Sequence, residues 1–371
     1  MIPIIILALI YFFAILWLIS GLKKLKEPNN IDGTLTVSVI VAARNEEDNI
    51  ENCLNSLVAQ NYPTKYFNVY IINDRSDDKT EIIISKFISD HSNFHLITVK
   101  DVPPKTSPKK HALQMGIDAS DGAVILTTDA DCTPPDGWIS GMVKYYSDDS
   151  VGFVAGYSPI NAGDRGLKNG LFYLDSMSLA AVSAGSIGNN YPLTGTGRNL
   201  SYRRTSFESM NGFDGLWQFM SGDDDLLLHK AHHNGINVRY SISPSTFVRS
   251  NSYDSMVEIS NQRRRHASKG LHYYALPGMM GLKIALPLIY IFNLFIVLGL
   301  LGFKSDLSNL AIAMILKSIA DVSLLSIFSS IVHVKGYLKL FPLAQFIHPF
   351  YVVIFGAWGV LGKFNWKGQK S

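Results

Sequence analysis

Cysteine and charge are both scarce in this sequence. Only Cys53 and Cys132 occur among 371 residues, which excludes a disulfide framework and the paired cysteines of a structural zinc site. Charged residues make up 17% of the chain and the net charge is +3, which is too small to predict binding to nucleic acid. By contrast, 47% of the residues are hydrophobic, more than a soluble enzyme usually carries. The composition therefore predicts that part of the chain lies in a membrane.

Four apolar runs are long enough to cross a bilayer. They cover residues 2–19, 280–303, 310–332 and 340–361. The first run is followed at once by Lys23, Lys24 and Lys26, and positive charge after a span places the next segment in the cytoplasm. A signal peptide would carry its charge before the apolar run. The sequence therefore predicts an uncleaved anchor whose amino terminus lies outside.

The predicted organisation has three parts. An anchor over residues 1–22 precedes a cytoplasmic domain over 23–275, whose last segment is interfacial, and membrane helices over 276–371. Lys317 and Asp321 lie four positions apart within one predicted span. We expect them to pair, because an unpaired charge in the middle of a membrane is costly. Such a pair either lines a path for an acceptor or is a purely structural salt bridge.

The middle of the chain alternates between strand-like and helix-like hydrophobic patterns. Strands are predicted over residues 36–43, 67–73, 94–99 and 123–128, with helices after Arg44, over 78–90 and over 108–120. Asn45 is expected to cap the first of these helices. Such alternation builds βαβ units with helices on both faces of a mostly parallel sheet. The predicted fold class is therefore α/β, with a Rossmann-like, nucleotide-binding type of architecture.

The last of these strands ends in two carboxylates, Asp129 and Asp131. In open α/β sheets, ligands bind at the carboxyl ends of the strands. Oxygen ligands at this spacing suit Mg²⁺ or Mn²⁺ shared with substrate phosphates. A short acidic pair is also common in solvated turns, so the hypothesis of a metal and phosphate site depends on the rest of the chain.

Two further polar clusters follow the alternating region. Asp223, Asp224 and Asp225 open a helix, where acids are also favoured simply by the helix dipole. A basic segment over residues 262–266 precedes the membrane helices.

Taken together, these segments resemble the membrane-bound family-two glycosyltransferases, the group that includes cellulose, hyaluronan and ceramide-glucoside synthases. The similar segments, in chain order, are residues 39–47, 70–80, 110–113, 129–131, 222–224 and 262–266. The resemblance implies an inverting reaction on a GT-A domain, with Mg²⁺ or Mn²⁺ as cofactor. It also implies a nucleotide-sugar donor. A uridine diphosphate sugar is the family's common donor, and guanosine diphosphate mannose remains open.

The resemblance carries roles over to individual residues. Asp131 holds the metal, with Asp129 on the ribose side or the metal side. Asp224 is the candidate base, with Asp223 as its competitor because the acidic run allows either register. Arg265 and Gln262 are expected beside the pyrophosphate, for which the forked guanidinium is well suited. The donor-binding candidates are Ala43, Arg44, Asn45, Glu47, Asp74, Lys110, Asp129 and Arg263. The acceptor-side candidates are Gly197, Arg198 and His266.

Some of these roles have simpler alternatives. Arg44 and Glu47 contact the base or ribose, or else they only cap the first helix. Arg263 holds the pyrophosphate with Arg265, or else Arg263, Arg264 and Arg265 form a juxtamembrane patch that contacts anionic lipid headgroups.

One departure from the family pattern affects the predicted product. His266 stands where the family has a tryptophan that stacks on the acceptor sugar in polymerising members. We therefore expect a single transfer to a lipid-linked or membrane-embedded acceptor. The alternatives are a processive polysaccharide synthase and a non-catalytic membrane protein that binds nucleotide-sugars. A transporter is disfavoured, because the chain has few spans and no visible repeat.

Overall fold

A computed structural model describes residues 2–28, 34–160, 166–251, 260, 262–263, 270, 272–303, 306–334, 336–361, 365–366 and 369–370. The chain divides into two compact units. The first, here called the sheet unit, comprises residues 25–161 and 190–251. The second, here called the helical unit, comprises residues 1–24, 162–189 and 252–371. The predicted cytoplasmic domain over 23–275 therefore differs from the sheet unit. Within that predicted range, residues 162–189 and 252–275 belong to the helical unit.

A seven-stranded sheet forms the centre of the sheet unit. Its strands are β1 (Val37–Ala43), β2 (Phe67–Asn73), β3 (Phe94–Thr98), β4 (Val124–Asp129), β6 (Val151–Gly156), β7 (Leu200–Arg203) and β8 (Asn237–Ser241). A small antiparallel pair is formed by β5 (Cys132–Thr133) and β9 (Arg249–Ser250). The spatial order is β3-β2-β1-β4-β7-β6-β8, in which β7 is antiparallel to both of its neighbours and the remaining pairs are parallel. This confirms the predicted α/β class with a mostly parallel sheet.

Short helices cover the sheet within the same unit. They are α2 (Ile50–Val58), α3 (Thr80–Ile88), α4 (Pro108–Asp118), α5 (Trp138–Val143), α7 (Arg204–Ser209) and α8 (Asp225–His233). Single 3₁₀ turns lie at Thr64–Tyr66, Lys144–Ser147, Gly197–Asn199 and Pro244–Thr246. Strands β1, β2 and β4 are buried almost throughout, as expected for parallel strands covered on both faces. That burial explains why they appear in the sequence as nearly continuous apolar runs.

Five long helices lie within the described part of the helical unit. They are α1 (Ile2–Leu22), α6 (Leu167–Gly188), α9 (Met280–Leu300), α10 (Leu307–Ile331) and α11 (Phe341–Leu361), with a 3₁₀ turn at Leu338–Leu340 before the last. Among the described residues, four helical segments are long and apolar enough to cross a membrane: 3–22, 280–300, 307–331 and 338–359. They correspond to the four predicted spans. Two-residue strands β10 (Asn365–Trp366) and β11 (Gln369–Lys370) follow α11.

Helices α1 and α6 approach each other closely through glycine. A Cβ on Gly21 would lie 1.8 Å from the carbonyl oxygen of Gly185, and a Cβ on Gly188 would lie 2.1 Å from the carbonyl oxygen of Gly21. Small residues permit this backbone contact, which is a common device between membrane helices. Asn189 extends it, because its Nδ2 donates to the Trp17 carbonyl at 2.6 Å and its Oδ1 accepts from Lys24 Nζ at 2.7 Å. This contact explains why residues 162–189 group with the apolar helices.

The predicted pair within the helical unit is present. Lys317 Nζ lies 2.6 Å from Asp321 Oδ2, and the other carboxylate oxygen accepts from Tyr11 OH at 2.6 Å. The same ammonium group lies 3.4 Å from Gln345 Oε1 and 3.3 Å from His348 Nδ1. The cluster joins α1, α10 and α11, and its groups satisfy one another. It therefore has the features of the structural alternative, a salt bridge that fastens helices together.

Candidate functional site

The carboxyl ends of β1, β2 and β4 lie side by side. Ala43 at the end of β1 pairs with Asn73 of β2, and Ala42 pairs with Asp129 of β4. The turns after these three strands therefore meet at one edge of the sheet. That edge is where an open α/β sheet binds its ligands.

The turns after β1 and β2 are joined by hydrogen bonds. Asn45 N donates to Ser76 Oγ at 3.1 Å, and Asp77 N donates to Asn45 Oδ1 at 3.0 Å. Glu47 belongs to the same set, because its N–H donates to Asp78 Oδ2 at 3.1 Å. Asn45 has a φ of +52° and does not cap α2, which begins five residues later at Ile50 with Asn49 as its N-cap. The capping prediction for Asn45 is thus wrong, and the helix-capping alternative for Glu47 is replaced by a contact between turns.

Asp74 lies beneath this pair of turns. Its N–H donates to the Ala43 carbonyl at 2.8 Å, and its carboxylate accepts from Arg75 Nε at 2.8 Å, with Arg44 Nη1 3.8 Å away. Asp74 is only 3% exposed. Three of the predicted donor-binding residues, Ala43, Arg44 and Asp74, are therefore brought together in one polar corner.

The turn after β4 offers a set of metal ligands. One ligand atom from each of Asp129, Asp131 and Cys132 lies within 4.8 Å of the others. Burial, followed by the nearby charges of Asp131 and Asp129, raises the pKa of the Cys132 thiol, so the sulfur stays protonated and lies 3.4 Å from Asp131 Oδ1. The two aspartates are only partly buried. Two accessible carboxylates beside a protonated thiol fit a hard divalent ion such as Mg²⁺ or Mn²⁺.

Lys109, on the first turn of α4, connects this turn to the acids before α8. Its Nζ lies 2.8 Å from Asp129 Oδ1 and 2.8 Å from Asp223 Oδ2. Burial alone would lower the pKa of Lys109, but the two carboxylates outweigh burial and raise that pKa. Lys109 therefore stays protonated. The end of β4 and the start of α8 therefore share one cation, which places their acids in one site.

The acids before α8 are positioned by a tight turn. Gly222 has a φ of +88°, and a Cβ there would lie 2.4 Å from the Leu226 side chain. Asp224 is the N-cap of α8, where its Oδ1 accepts from Asp225 N at 2.8 Å. Its Oδ2 accepts from Gly197 N at 3.3 Å, which ties the acidic turn to the glycine loop.

The glycine loop is in turn fastened to β4. Thr127 Oγ1 donates to the Gly197 carbonyl at 3.4 Å, and Thr128 Oγ1 donates to the Arg198 carbonyl at 2.9 Å. A Cβ on Gly197 would lie 2.9 Å from Asp223 Oδ2. The predicted acceptor-side residues Gly197 and Arg198 thus lie between the end of β4 and the acidic turn, and no side chain fits at position 197 without moving an acid.

The structure revises the lysine prediction. Lys110 is fully buried, and its Nζ donates to the backbone carbonyls of Phe219 and Ser221 at 2.6 and 2.8 Å. It supports the chain leading into the acidic turn and does not face the site. Lys109 was missed, although a Lys-x-x-Ala-Leu pattern counted back from Ala112 begins at Lys109. That spacing was the signal which could have identified it.

Arg263 also has a different environment from either of its predicted ones. Its side chain is 5% exposed, forms an ion pair with Asp175 of α6 and lies over the Phe172 ring at 5.6 Å. Burial raises the pKa of Asp175, and Arg263 opposes that rise. Asp175 and Phe172 of α6 thus both lie against this guanidinium group. Arg263 therefore connects the described residues 262–263 to α6 within the helical unit.

The remaining site predictions have no described geometry that tests them. Arg264, Arg265 and His266 lie outside the described residues. Gln262 is described as helical and partly buried in the helical unit.

The chain is similar to several known proteins. Residues 38–208 match the family described as "Glycosyl transferase family 2". Glycosyltransferase AglE of Haloferax volcanii is 31% identical over 120 residues, which is 32% of this chain and 38% of that protein. A beta-monoglucosyldiacylglycerol synthase of Nostoc sp. is 26% identical over 251 residues, covering 66% of this chain and 51% of that protein. The matched part of this chain therefore spans about half or less of the length of these relatives.

A solved structure has the same fold. It is described as a mannosyltransferase, PcManGT, from Pyrobaculum calidifontis in complex with GDP-Man and Mn²⁺. The TM-score is 0.61 at 17% sequence identity, and the alignment covers 96% of this chain and 99% of that one. At this level of identity the similarity concerns the fold, and it supports the GT-A type of architecture.

Proposed function

We propose that this chain transfers a sugar from a nucleoside diphosphate sugar to a membrane-embedded or lipid-linked acceptor, with the site on the cytoplasmic face. The match of residues 38–208 to glycosyl transferase family 2 supports this proposal. The observation that carries this proposal is the ammonium group of Lys109, shared by Asp129 and Asp223. A shared cation brings donor-side and acceptor-side acids within reach of a single sugar.

The donor end of the proposed site is the edge formed by β1, β2 and β4. The turn from Ala43 to Glu47, together with Asp74, holds the nucleoside, because these groups form a rigid polar corner. Asp131 and Asp129 hold Mg²⁺ or Mn²⁺ as oxygen ligands. An ion bound to these residues would offset the negative charge of the leaving diphosphate.

The acceptor end is the acidic turn before α8. Asp224 is the proposed general base, which takes the proton of the attacking hydroxyl, with Asp223 as its competitor. Attack from the side opposite the leaving diphosphate inverts the anomeric carbon. The hydrogen bonds from Asp225 N and Gly197 N fix the orientation of Asp224. Lys109 fixes Asp223 in the same way.

A lipid-linked acceptor agrees with the membrane helices and with one relative. Four of the described helices are long and apolar enough to span a bilayer. The Nostoc relative is named for a glucosyldiacylglycerol product. The donor nucleotide is open between uridine and guanosine diphosphates. The structure with the same fold is described with GDP-Man, whereas the uridine sugars rest on the family resemblance.

The test uses the full-length protein in membranes with a panel of labelled uridine and guanosine diphosphate sugars plus Mn²⁺ or Mg²⁺. We expect label in the organic-solvent-extractable fraction. D224N should lower turnover by about 10²- to 10⁴-fold, which is the usual contribution of a general base to the rate. Nucleotide binding should be unchanged. Asp90→Asn, at an exposed acid near the end of α3, is the matched control and should leave turnover unchanged.

Three outcomes would change the proposal. Loss of turnover in D223N but not in D224N would make Asp223 the base. Full turnover in both variants would contradict an enzymatic role for the acidic turn and favour a nucleotide-sugar-binding protein. High-polymer product would replace single transfer with processive synthesis.

A further inference from the structure

The contact made by Lys109 has a consequence for the order of binding. The ammonium group is held between Asp129 and Asp223 at 2.8 Å from each. The Lys109 side chain is only 22% exposed, so water screens its charge incompletely. The carboxylate of Asp129 is therefore already neutralised by a cation that belongs to the chain.

The same carboxylate is a proposed ligand of a divalent ion. Asp129, Asp131 and Cys132 offer ligand atoms within 4.8 Å of one another, so an ion held there would lie close to the Lys109 ammonium. A double and a single positive charge at such a separation repel each other strongly. The Lys109 ammonium group therefore makes the balance of charge at Asp129 less favourable for a divalent ion.

A nucleoside diphosphate would reverse this balance. Its negative oxygens are ligands for the ion and acceptors for an ammonium group. Asp223 remains within reach of Lys109, so the ammonium group keeps one carboxylate partner when it gives up the other.

We propose that Lys109 is a tethered cation that competes with the divalent ion for Asp129, so that the ion binds tightly only together with the donor diphosphate. This inference rests on the proposed function. Lys109 is then a positioning residue. When the donor binds, the ammonium group leaves Asp129 and stays on Asp223, which links donor binding to the acidic turn.

The test measures Mn²⁺ binding to the solubilised full-length protein from the free-Mn²⁺ resonance signal, with and without UDP or GDP. In the natural protein, we expect weak binding of Mn²⁺ alone and strong enhancement by one of the nucleotides. In K109M, Mn²⁺ alone should bind about tenfold more tightly, because a single unit charge close to the ion is removed. The enhancement by nucleotide should fall by a similar factor, since coupling between two ligands is reciprocal.

Two control variants separate charge from structure. K109R keeps the cation and should keep the weak binding and the enhancement. Lys86→Met removes one exposed lysine near the end of α3 and should behave as the natural protein. Because K109M leaves two facing acids without a cation, its melting temperature is measured as well, and Mn²⁺ should raise it more than in the natural protein. K109Q provides a second neutral side chain if K109M fails to fold.

The outcomes distinguish this inference from the proposed function. Loss of Mn²⁺ binding in D131N, with unchanged affinity and enhancement in K109M, overturns the role of Lys109 and leaves the metal site in place. Equal Mn²⁺ binding in D131N and the natural protein, or no binding in either, overturns both.

Discussion

Replacing Gly197 by alanine tests the site geometry with a single methyl group. The new Cβ would lie 2.9 Å from Asp223 Oδ2, 3.5 Å from Lys109 Nζ and 3.7 Å from Asp224 Cβ. Non-bonded heavy atoms normally pack at about 3.5 Å, so the Asp223 carboxylate has to move by roughly half an ångström. The movement loosens its bond to Lys109 and disturbs the hydrogen bond from Gly197 N to Asp224.

The effect on folding should be small and the effect on catalysis larger. A hydrogen bond between charged groups contributes about 1.5–3 kcal/mol, and weakening it should cost about 1 kcal/mol, or roughly 2–4 °C in Tm. A misplacement of about 1 Å in a catalytic arrangement costs roughly 10²-fold, so half that distance should reduce kcat about tenfold.

The assay compares initial rates of sugar transfer and thermal unfolding in detergent for G197A and the natural protein. Gly166→Ala is the matched control, because no atom lies within 4 Å of the position of its new Cβ. Full kcat in G197A would refute the argument that the glycine loop and the acidic turn act on the same sugar. A tenfold loss in Gly166→Ala would show that the assay responds to any added methyl group.

Three further predictions concern stability. K317M should cost about 3–5 kcal/mol by leaving Asp321 without its cation, and K317M/D321L should recover most of that loss, as measured by thermal unfolding in detergent. D175N should destabilise the helical unit by about 3 kcal/mol, because the buried Arg263 loses its carboxylate, whereas D175E should be milder. Burial would raise the pKa of Asp78, but hydrogen bonds to its carboxylate outweigh burial and lower that pKa. The stabilisation from Asp78 is therefore fully present above about pH 4, the ordinary aspartate value, and is lost as the pH falls through the lowered pKa. D78A should lower Tm at pH 7 and should lower it progressively less as the pH falls.

The strands were the most predictable part of the fold. The predicted bounds of β2, residues 67–73, are the observed ones, because a parallel strand buried on both faces is a mostly apolar run between turn residues. The start of α2 was placed too early. Residues 44–49 look like a helix start, but their polar groups bond to the turn after β2, a contact that local sequence does not reveal.

Site residues could be predicted from the sequence where they lie at the carboxyl end of a predicted strand. Asp129 belongs to this class, since strand alternation and the carboxyl-edge rule place it. Lys109 and Lys110 do not, because adjacent residues of a helix point about 100° apart and only tertiary packing decides which one is buried. Asp175 and Arg263 lie far apart in sequence, and their pairing depends on how α6 packs against residues 262–263 within the helical unit.

The glycine contact between α1 and α6 bears on how the protein can be handled. An amino-terminal apolar helix is commonly treated as a removable tether, and truncation before crystallisation or assay follows from that view. Here the first 22 residues supply the surface against which Gly185 and Gly188 lie, so a shortened chain would uncover a backbone stripe that has no side chains to shield it. Expression of the intact polypeptide in lipid or detergent is the better starting point for every measurement described above.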